Sequence, residues 1–464
     1  MAFLTGAAVV CAPVFVAPAS AAEPVPTAQI DADMHAAIAR HQAHGLTIAI
    51  LRDGSMVYEH AYGLRDVAGK LPATVATQYE IGSITKQFTA AAIMQLVDAG
   101  KIALDAPLAT HMPNAPHANE VTIRQLLSHT SGMPEYLYGR TLVSEMANPT
   151  TPEAMIARIK GKPLDFPPGT KWEYSNTNYI LLGRVIEIAS GESYDTYLFD
   201  HVIAKAPGAD FTTMRDEAKL PQMSRGYADG EFAPPLDDSW AWSAGSLVGT
   251  VADLAAWDAA LRGGEVVAPS AYAQMTTVQS PPGAETAYGF GLMLDGYDGQ
   301  PRIWHDGGTL GFSAADQLYP AQHTCIIVLS NDSSAASYTL ANRIFEDLYP
   351  AIAAEAAKPA PGEEPAFTAR VKAVYASVLA GKLDREKFDA PANAALTDAV
   401  VAGTSERFKL LGPPLWYSFR GCAMQGTTHV CRYLVAFSHI HEILTVGTDP
   451  QGKFDLILLE REPE

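Results

Sequence analysis

Ser83 and Lys86 have the spacing of a nucleophile and its base, and they are the only Ser-x-x-Lys pair in the chain. Within a helix, a separation of three residues puts the lysine ammonium one turn from the serine hydroxyl, on the same face. A lysine buried in a packed helix loses its proton more easily and can then take the proton of the serine. The alternative is an ordinary serine at a helix start, with a lysine that extends to solvent.

Tyr174 and Asn176 supply a second pair of polar groups. They follow a loop rich in proline and glycine at residues 166–169 and lead into an apolar stretch at residues 179–182. On a tight loop the phenol and the amide point the same way, which suits Tyr174 to shuttle a proton and Asn176 to bind a substrate amide. A purely structural loop is the alternative.

A third motif, His305-Asp306-Gly307-Gly308, ends a predicted strand. Glycines at this position let a substrate backbone approach the sheet edge, with an amide N–H directed at a developing oxyanion. A plain β-turn is the alternative.

The elements that must position these motifs are strands near both ends of this region and helices between them. The predicted elements are a helix at 30–45, a hairpin of strands 47–51 and 56–62, a buried helix at 83–96, a largely helical middle third, strands at 302–305, 310–318 and 324–329, and a helix at 337–348. Asp53-Gly54 is a strong hairpin signal. Strands at both ends with helices between them predict one α+β domain at residues 28–350, an antiparallel sheet with a helical lobe.

The rest of the chain predicts a second, smaller domain. Residues 351–365 are rich in Ala, Pro, Glu and Gly, the composition of a linker. Residues 366–464 predict a helix and four strands, a small α+β accessory domain. His439, His441 and Glu442 lie together there, but no further ligand set accompanies them, so we predict no metal site.

Three cysteines follow residue 22. Cys422 and Cys431 flank a segment that can turn the chain between two strands, which predicts a disulfide between them. Cys325 lies in an apolar predicted strand and is expected to be a buried thiol.

Composition narrows the functional classes. The 464 residues include 48% hydrophobic side chains and carry a formal net charge of -19, which excludes disorder for most of the chain and argues against nucleic acid or anionic membrane as a partner. Residues 1–22 are uncharged and end in Ala19-Ser20-Ala21, which predicts a signal peptide and a periplasmic or secreted protein. No other apolar run is long enough for a membrane span. The oligomeric state stays open.

The motifs together resemble the serine β-lactamase and penicillin-recognising family, especially the branch with class C β-lactamases, DD-carboxypeptidases, D-aminopeptidases and related esterases. The resemblance runs from about Gly45 to Pro350 and includes Gly82 to Lys86, Leu126-Leu127-Ser128-His129-Thr130-Ser131-Gly132, Pro168-Gly169, Tyr174 to Tyr179, Ser243-Ala244-Gly245-Ser246 and His305 to Gly308.

The resemblance implies a role for each motif residue. Ser83 is the acylated nucleophile, Lys86 its base and Tyr174 the proton relay to the leaving group. The substrate-binding residues are Asn176, His305, Gly307 and Gly308, and the N–H groups of Ser83 and Gly308 form the oxyanion hole.

The chain differs from the family pattern at one motif, and this difference bears on which substrates it can bind. β-Lactamases of this group usually have Lys-Thr-Gly where this chain has His305-Asp306-Gly307, and a neutral histidine offers a substrate carboxylate no fixed charge. We therefore expect a peptidase or esterase that acts on an amide or ester of a small molecule or peptide, without cofactor or metal. A β-lactamase and a non-catalytic protein that binds peptidoglycan or β-lactams are the alternatives.

Overall fold

The computed structural model describes residues 24–461, apart from residues 41, 138–142, 283, 285, 336 and 438–440. The predicted signal peptide at 1–22 and His439 lie outside the described residues. Two main sheets, each with its own apolar core, organise the chain.

The strands, in chain order, are β1 (Gly45–Arg52), β2 (Ser55–Asp66), β3 (Leu71–Pro72), β4 (Tyr79–Glu80), β5 (Thr212–Thr213), β6 (Tyr227–Ala228), β7 (Glu231–Phe232), β8 (Leu247–Gly249), β9 (Met293–Tyr297), β10 (Gln300–Gly308), β11 (Ser313–Tyr319), β12 (Thr324–Ser330), β13 (Trp416–Gln425), β14 (Thr428–Ala436), β15 (His441–Thr448) and β16 (Phe454–Arg461).

The α-helices, also in chain order, are α1 (Thr27–Ala39), α2 (Thr85–Asp98), α3 (Ile123–Leu127), α4 (Val143–Met146), α5 (Pro152–Ala157), α6 (Asn176–Ser190), α7 (Tyr194–Tyr197), α8 (Asp238–Ala241), α9 (Val251–Gly263), α10 (Pro269–Met275), α11 (Ser337–Leu348), α12 (Pro350–Ala356), α13 (Pro365–Leu379), α14 (Ala390–Ala395) and α15 (Asp398–Leu411).

The central sheet has the strand order β3-β2-β1-β12-β11-β10-β9, with antiparallel neighbours. Asp53 and Gly54 both have positive φ, 49° and 76°, which is the backbone that a two-residue turn between β1 and β2 requires. Because β1 pairs with β12, the two ends of this region share one sheet and the helical lobe lies between them in sequence. This arrangement confirms the predicted α+β fold.

The central sheet is covered on both faces. On one face the helical lobe packs against it, and Phe88 of α2 stacks on Trp257 of α9 with ring centroids 3.7 Å apart. On the other face α1 and α11 cover it, and Phe345 stacks on Tyr319 at 3.9 Å. Burial of each such aromatic side chain contributes about 1.5–3 kcal/mol to the free energy of unfolding. Both layers therefore stabilise the sheet.

Some boundaries differ from the sequence-based prediction. Gly307 and Gly308 lie within β10 rather than in a turn after it, and β9, α14 and α15 were not predicted. The first part of the predicted linker at 351–365 is helical, because α12 extends from Pro350 to Ala356. Within the described residues, no helix combines the length and the apolar character that a bilayer crossing needs.

The second sheet has the order β13-β14-β15-β16 and packs against α13 and α15. Cys422 on β13 and Cys431 on β14 form a disulfide, as predicted from their spacing. Cys325 on β12 is a buried free thiol, also as predicted, and donates to Asp258 Oδ2 at 3.0 Å.

The two sheets meet at a polar group of side chains, Asp298, Glu346 and His441, which we call the junction cluster. His441 opens β15 and is buried, with Nδ1 2.5 Å from Asp298 Oδ1 and Nε2 3.7 Å from Glu346 Oε1. Its ring stacks on Tyr297 at 4.9 Å. The second oxygen of Asp298 is buried without a hydrogen-bond partner.

Candidate active site

Ser83 lies in a single helical turn, Gly82–Ile84, that leads directly into α2. Gly82 has φ of +51°, and a Cβ atom there would lie 2.7 Å from the backbone nitrogen of Gly308. Only glycine therefore lets the turn that holds Ser83 approach the end of β10. This close approach brings the predicted first and third motifs together.

Lys86 is fully buried one turn after Ser83. Its Nζ donates to Ser83 Oγ at 2.9 Å, to Asn176 Oδ1 at 2.9 Å and to the carbonyl of Ala244 at 2.7 Å. We call these four residues the lysine cluster. Burial lowers the pKa of Lys86 to about 7. A large fraction of this amine is therefore neutral near pH 7. The neutral amine keeps two N–H groups, enough for Asn176 and Ala244, and it then accepts from the Ser83 hydroxyl instead of donating to it.

Tyr174 precedes α6 and places its ring 4.9 Å from Lys86 Nζ. Its hydroxyl is buried beside that of Ser83, and the residue lines the cleft. Burial raises the pKa of Tyr174 well above its usual value, and the neighbouring Ser83 hydroxyl offsets part of this rise. The phenol is therefore a neutral donor whose hydrogen is free for a group in the cleft.

Asn176 begins α6, and its side chain is oriented by Glu135. Glu135 Oε2 accepts from the backbone N–H of Asn176 at 2.6 Å and from its Nδ2 at 3.3 Å, which turns Oδ1 toward Lys86. Burial raises the pKa of Glu135, while its charge raises that of Lys86. Sequence analysis missed Glu135, because no spacing relates it to the other motifs.

His129 was also missed as a functional residue, although its motif was part of the family resemblance. Its Nδ1 faces the backbone N–H of Ser175 at 3.2 Å and Asn178 Nδ2 at 3.1 Å, and its ring lies 4.3 Å from that of Tyr174. Burial, followed by the charge of Lys86, holds the pKa of His129 well below its usual value. A neutral His129 thus fixes the loop that carries Tyr174.

His305, which the resemblance implies to be a substrate-binding residue, has a completely buried side chain, and its ring centroid lies 6.2 Å from that of Tyr174. Its Nδ1 lies 2.5 Å from the carbonyl of Asp306, and its Nε2 lies 3.0 Å from the hydroxyl of Tyr288. Since a carbonyl only accepts, Nδ1 donates, and in the neutral ring Tyr288 donates to Nε2.

The two glycines after Asp306 have different surroundings. A Cβ at Gly307 would lie 1.9 Å from the carbonyl oxygen of Ile81, so Gly307 permits close packing of β10 on the segment before the nucleophile. Gly308 is exposed, with nothing within 4 Å of the corresponding position, and it lines the cleft. Gly308 and Ser83 therefore present their backbones to the same cleft, as an oxyanion site requires.

The cleft is a cavity of about 400 Å³ lined by Ser83, Trp172, Tyr174, Thr286, Met293, Asp306 and Gly308. Asp306, whose side chain is 38% exposed, supplies a negative charge at its wall. Among the described residues, the groups with metal-ligand chemistry lie outside this cleft, at Asp258/Asp316/Cys325, at the junction cluster, and at His429 beside the disulfide.

The chain is similar to several known proteins. The model of the family described as Beta-lactamase matches residues 30–349. A putative penicillin-binding protein, PbpX, from Bacillus subtilis (strain 168) is 27% identical over 306 residues, which cover 65% of this chain and 74% of that protein.

Two solved structures share the fold. A D-stereospecific amidohydrolase from Streptomyces sp. is 27% identical, with a TM-score of 0.60, over 69% of this chain and 98% of that chain. An octameric penicillin-binding protein homologue from Pyrococcus abyssi is 22% identical, with a TM-score of 0.62, over 94% of this chain and 99% of the other. The similarity to the Pyrococcus abyssi protein includes the C-terminal sheet, and it is a similarity of fold.

Proposed function

Because the chain belongs to the Beta-lactamase family and is a serine hydrolase of that family, we propose that it forms an acyl-enzyme on Ser83 from a small amide or ester. The observation that carries this proposal is the contact of 2.9 Å between Lys86 Nζ and Ser83 Oγ. Burial also lowers the pKa of this lysine to about 7. A base with a pKa near the working pH combines the correct protonation state with adequate proton affinity.

In the acylation step, neutral Lys86 takes the proton of Ser83 as Oγ attacks the carbonyl carbon of the substrate. The carbonyl oxygen becomes an oxyanion, which the N–H groups of Ser83 and Gly308 stabilise. Tyr174 then gives its proton to the departing nitrogen or oxygen and regains a proton from Lys86. The carbon–leaving group bond breaks, and an ester on Ser83 remains.

In the second step, water attacks that ester. Its proton passes to neutral Lys86, the bond between the acyl carbon and Oγ breaks, and Lys86 returns the proton to Ser83 Oγ. The amide oxygen of Asn176 and the carbonyl of Ala244 accept the two N–H groups of neutral Lys86, which leaves its lone pair for the Ser83 hydroxyl, and Tyr174 lines the cleft beside Ser83.

For the substrate, we propose a DD-peptidase or esterase type of donor. Asp306 at the cleft wall disfavours an anionic substrate, and the buried His305 adds no fixed positive charge there. A β-lactamase is the second candidate, favoured by the intact Ser83, Lys86 and Tyr174. The two candidate functions are distinguished by measuring how fast the parent and the Asp306→Asn variant hydrolyse an anionic penicillin and a neutral ester. We expect penicillin turnover to rise relative to ester turnover, and an unchanged ratio contradicts the electrostatic argument.

The acyl-enzyme itself is tested by intact mass spectrometry. Incubation with a reactive aryl phosphonate and with a fluorescent penicillin is expected to add the mass of the corresponding adduct to the parent protein and none to Ser83→Ala. Labelling of both proteins to the same extent contradicts the assignment of Ser83. A phosphonate adduct without turnover of any ester or amide supports instead a non-catalytic binding protein.

We also propose that the chain is exported to the periplasm or the exterior. The uncharged leader at 1–22 and the Cys422–Cys431 disulfide, a bond typical of oxidising compartments, support this. Fractionation of cells that express the full chain, followed by N-terminal sequencing, is expected to give a mature chain that begins near residue 23. An intact N-terminus in the cytoplasm contradicts the proposal.

A further inference from the structure

Asp306 is the one charged side chain among the described residues that line the catalytic cleft. Its side chain is 38% exposed, so the carboxylate is accessible from the cleft. In the described part of the chain, the basic group within 4 Å of this carboxylate is Nδ1 of His305. That nitrogen lies 3.9 Å from Asp306 Oδ1 and donates to the backbone carbonyl of Asp306 instead. The carboxylate therefore faces the substrate without a fixed cation beside it.

Asp306 lies toward the side of the cleft where the leaving group departs. Along β10 it precedes Gly308, whose N–H belongs to the oxyanion site, by two residues, and two residues of strand span about 6.5 Å. The ring of the preceding residue, His305, has its centroid 6.2 Å from that of Tyr174, the proton donor to the leaving group. Burial raises the pKa of Tyr174, and the negative charge of Asp306 adds to this rise. The carboxylate is thus close to the donor and on the side of the departing group.

The other surroundings of the cleft also favour a cation. Trp172 lines the same cavity, and an aromatic ring attracts a cation that lies over its face. Lys86, whose pKa burial lowers to about 7, is largely neutral in mildly alkaline solution and then does not cancel the charge of Asp306. The whole chain carries a formal net charge of -19, and such a field attracts cations and repels anions.

We propose that Asp306 selects substrates whose leaving group carries a positive charge, that is, esters or amides of a cationic alcohol or amine. This specificity rests on the proposed acyl-enzyme chemistry and narrows its substrates. Asp306 attracts an ammonium on the leaving group and repels a carboxylate there, such as the C-terminal carboxylate of a peptide. When the bond to the acyl carbon breaks, the cationic alcohol or amine departs past Asp306 with the proton from Tyr174, and the acyl group stays on Ser83.

The kinetic test compares two acetate esters that differ at one atom. The leaving group of one is choline, and that of the other is 3,3-dimethylbutanol, in which a carbon replaces the quaternary nitrogen. Both are assayed at about pH 8.5, above the pKa of Lys86. We expect the cationic-to-neutral ratio of kcat/KM to be about 5- to 30-fold higher in the parent than in Asp306→Asn. Because each ester is compared between two proteins, its intrinsic reactivity cancels. An equal ratio in both proteins overturns the inference.

Glu173→Gln is the matched control, because Glu173 is an exposed acid beside Tyr174 in the sequence that does not line the cavity. We expect its ratio to equal that of the parent. A second pair of esters moves the charge to the acyl chain: methyl 4-(trimethylammonio)butanoate and methyl 5,5-dimethylhexanoate. We expect Asp306→Asn to change the ratio of this pair much less than that of the acetates. A larger change in the acyl pair overturns the assignment of Asp306 to the leaving group.

A binding measurement separates this inference from the proposed function. Calorimetric titration with choline and with 3,3-dimethylbutanol needs no chemistry at Ser83. We expect the parent to bind choline about 5- to 30-fold more tightly and Asp306→Asn to remove the difference. A preference for choline without turnover of any ester contradicts the proposed function alone, whereas equal binding of the two alcohols by the parent contradicts the role of Asp306.

Discussion

Lys86 and His441 are both buried titratable side chains, and each joins parts of the chain that are distant in sequence, but their partners differ. The lysine cluster surrounds its amine with a hydroxyl, an amide oxygen and a backbone carbonyl. The junction cluster places His441 directly against the carboxylate of Asp298, with that of Glu346 at 3.7 Å.

The choice of partners decides what a buried base can do. Neutral acceptors orient Lys86 but do not stabilise its charge as a carboxylate would, so burial prevails and the pKa falls to about 7. The charge of Glu135, which also binds the side chain of Asn176, raises the pKa of Lys86 and only partly offsets the effect of burial. At the junction, the carboxylates suit attachment of one domain to the other rather than proton transfer.

The largest expected effect is a loss of kcat on substitution in the lysine cluster, which the junction cluster should not share. Ser83→Ala and Lys86→Ala are each expected to lower kcat about 10⁴-fold or more, because nucleophile and base act as one unit. The double variant should be no slower than either single variant. Steady-state kinetics on any substrate found provides the measurement, with the exposed Ser270→Ala as control. Turnover by Ser83→Ala above a trace would show that another residue is the nucleophile.

Tyr174→Phe is expected to lower kcat by about 10²- to 10⁴-fold, the usual contribution of a general acid. The Ser83 hydroxyl beside it keeps Lys86 Nζ as a partner, so the variant leaves no buried group unsatisfied and should unfold at about the same denaturant concentration as the parent. Parallel kinetics and urea unfolding provide the check. A loss of stability without loss of kcat would assign Tyr174 to packing.

The pH profile tests the charge state of Lys86. Protonation removes the base, so kcat/KM is expected to fall about tenfold per pH unit below about 7 and to level off above it. We assign this acid limb to Lys86 rather than to a substrate-facing histidine, since the side chain of His305 is completely buried. An acid limb that persists unchanged in His305→Gln supports this assignment, and one that vanishes contradicts it.

The same lysine links stability to pH. Its pKa of about 7 in the folded protein lies below its unfolded value near ~10.4, so the unfolded chain binds more protons between these pH values. The contribution of Lys86 therefore makes the free energy of unfolding rise with pH from about 7 to about 10. We expect urea unfolding at pH 7 and pH 9 to show this rise in the parent and a smaller one in Lys86→Met. Equal slopes would mean that Lys86 is charged when folded.

The smallest effect concerns the junction cluster. His441→Ala is expected to lower the free energy of unfolding by about 1–3 kcal/mol, because Asp298 loses its partner and Tyr297 loses a stacked ring. The kcat/KM value should stay within about twofold, as His441 does not line the cleft. His323→Ala, at a histidine that is 73% exposed, is the control for stability. Reduced turnover at unchanged stability would show that the junction acts on the active site.

Local signals explain which parts of the fold were predictable. Asp53-Gly54 marks its own turn, and the Ala-rich sequence of α2 marks a buried helix. By contrast, β9 contains Asp295 and Gly296, a pattern typical of a turn, and it is a strand because Arg302 binds both oxygens of Asp295 at 2.9 Å. In α15, Val400 is 46% exposed beside the buried Val401, which obscures the helical periodicity.

The site residues likewise include some that the sequence could predict and some that it could not. Ser83, Lys86, Tyr174 and Asn176 could be identified from spacing, because each pair lies within one or two turns of chain. Glu135 reaches Asn176 across 41 positions, and Tyr288 sequesters His305 from the cleft across 17. No pattern in the sequence encodes such contacts, since only the folded sheet and lobe bring these residues together.

The pairing of β1 with β12 also means that β1 is synthesised long before the strand with which it pairs. The N–H of Gly45 donates to Asn331, which the ribosome adds 286 positions later. At about 5–20 residues per second, the nascent chain waits roughly 15 to 60 s before β12 emerges. Throughout that time one edge of the apolar β1, which is buried along nearly its whole length in the finished protein, has no partner. Until then the hairpin of β1 and β2 presents an unpaired strand edge, which is open to pairing with other chains.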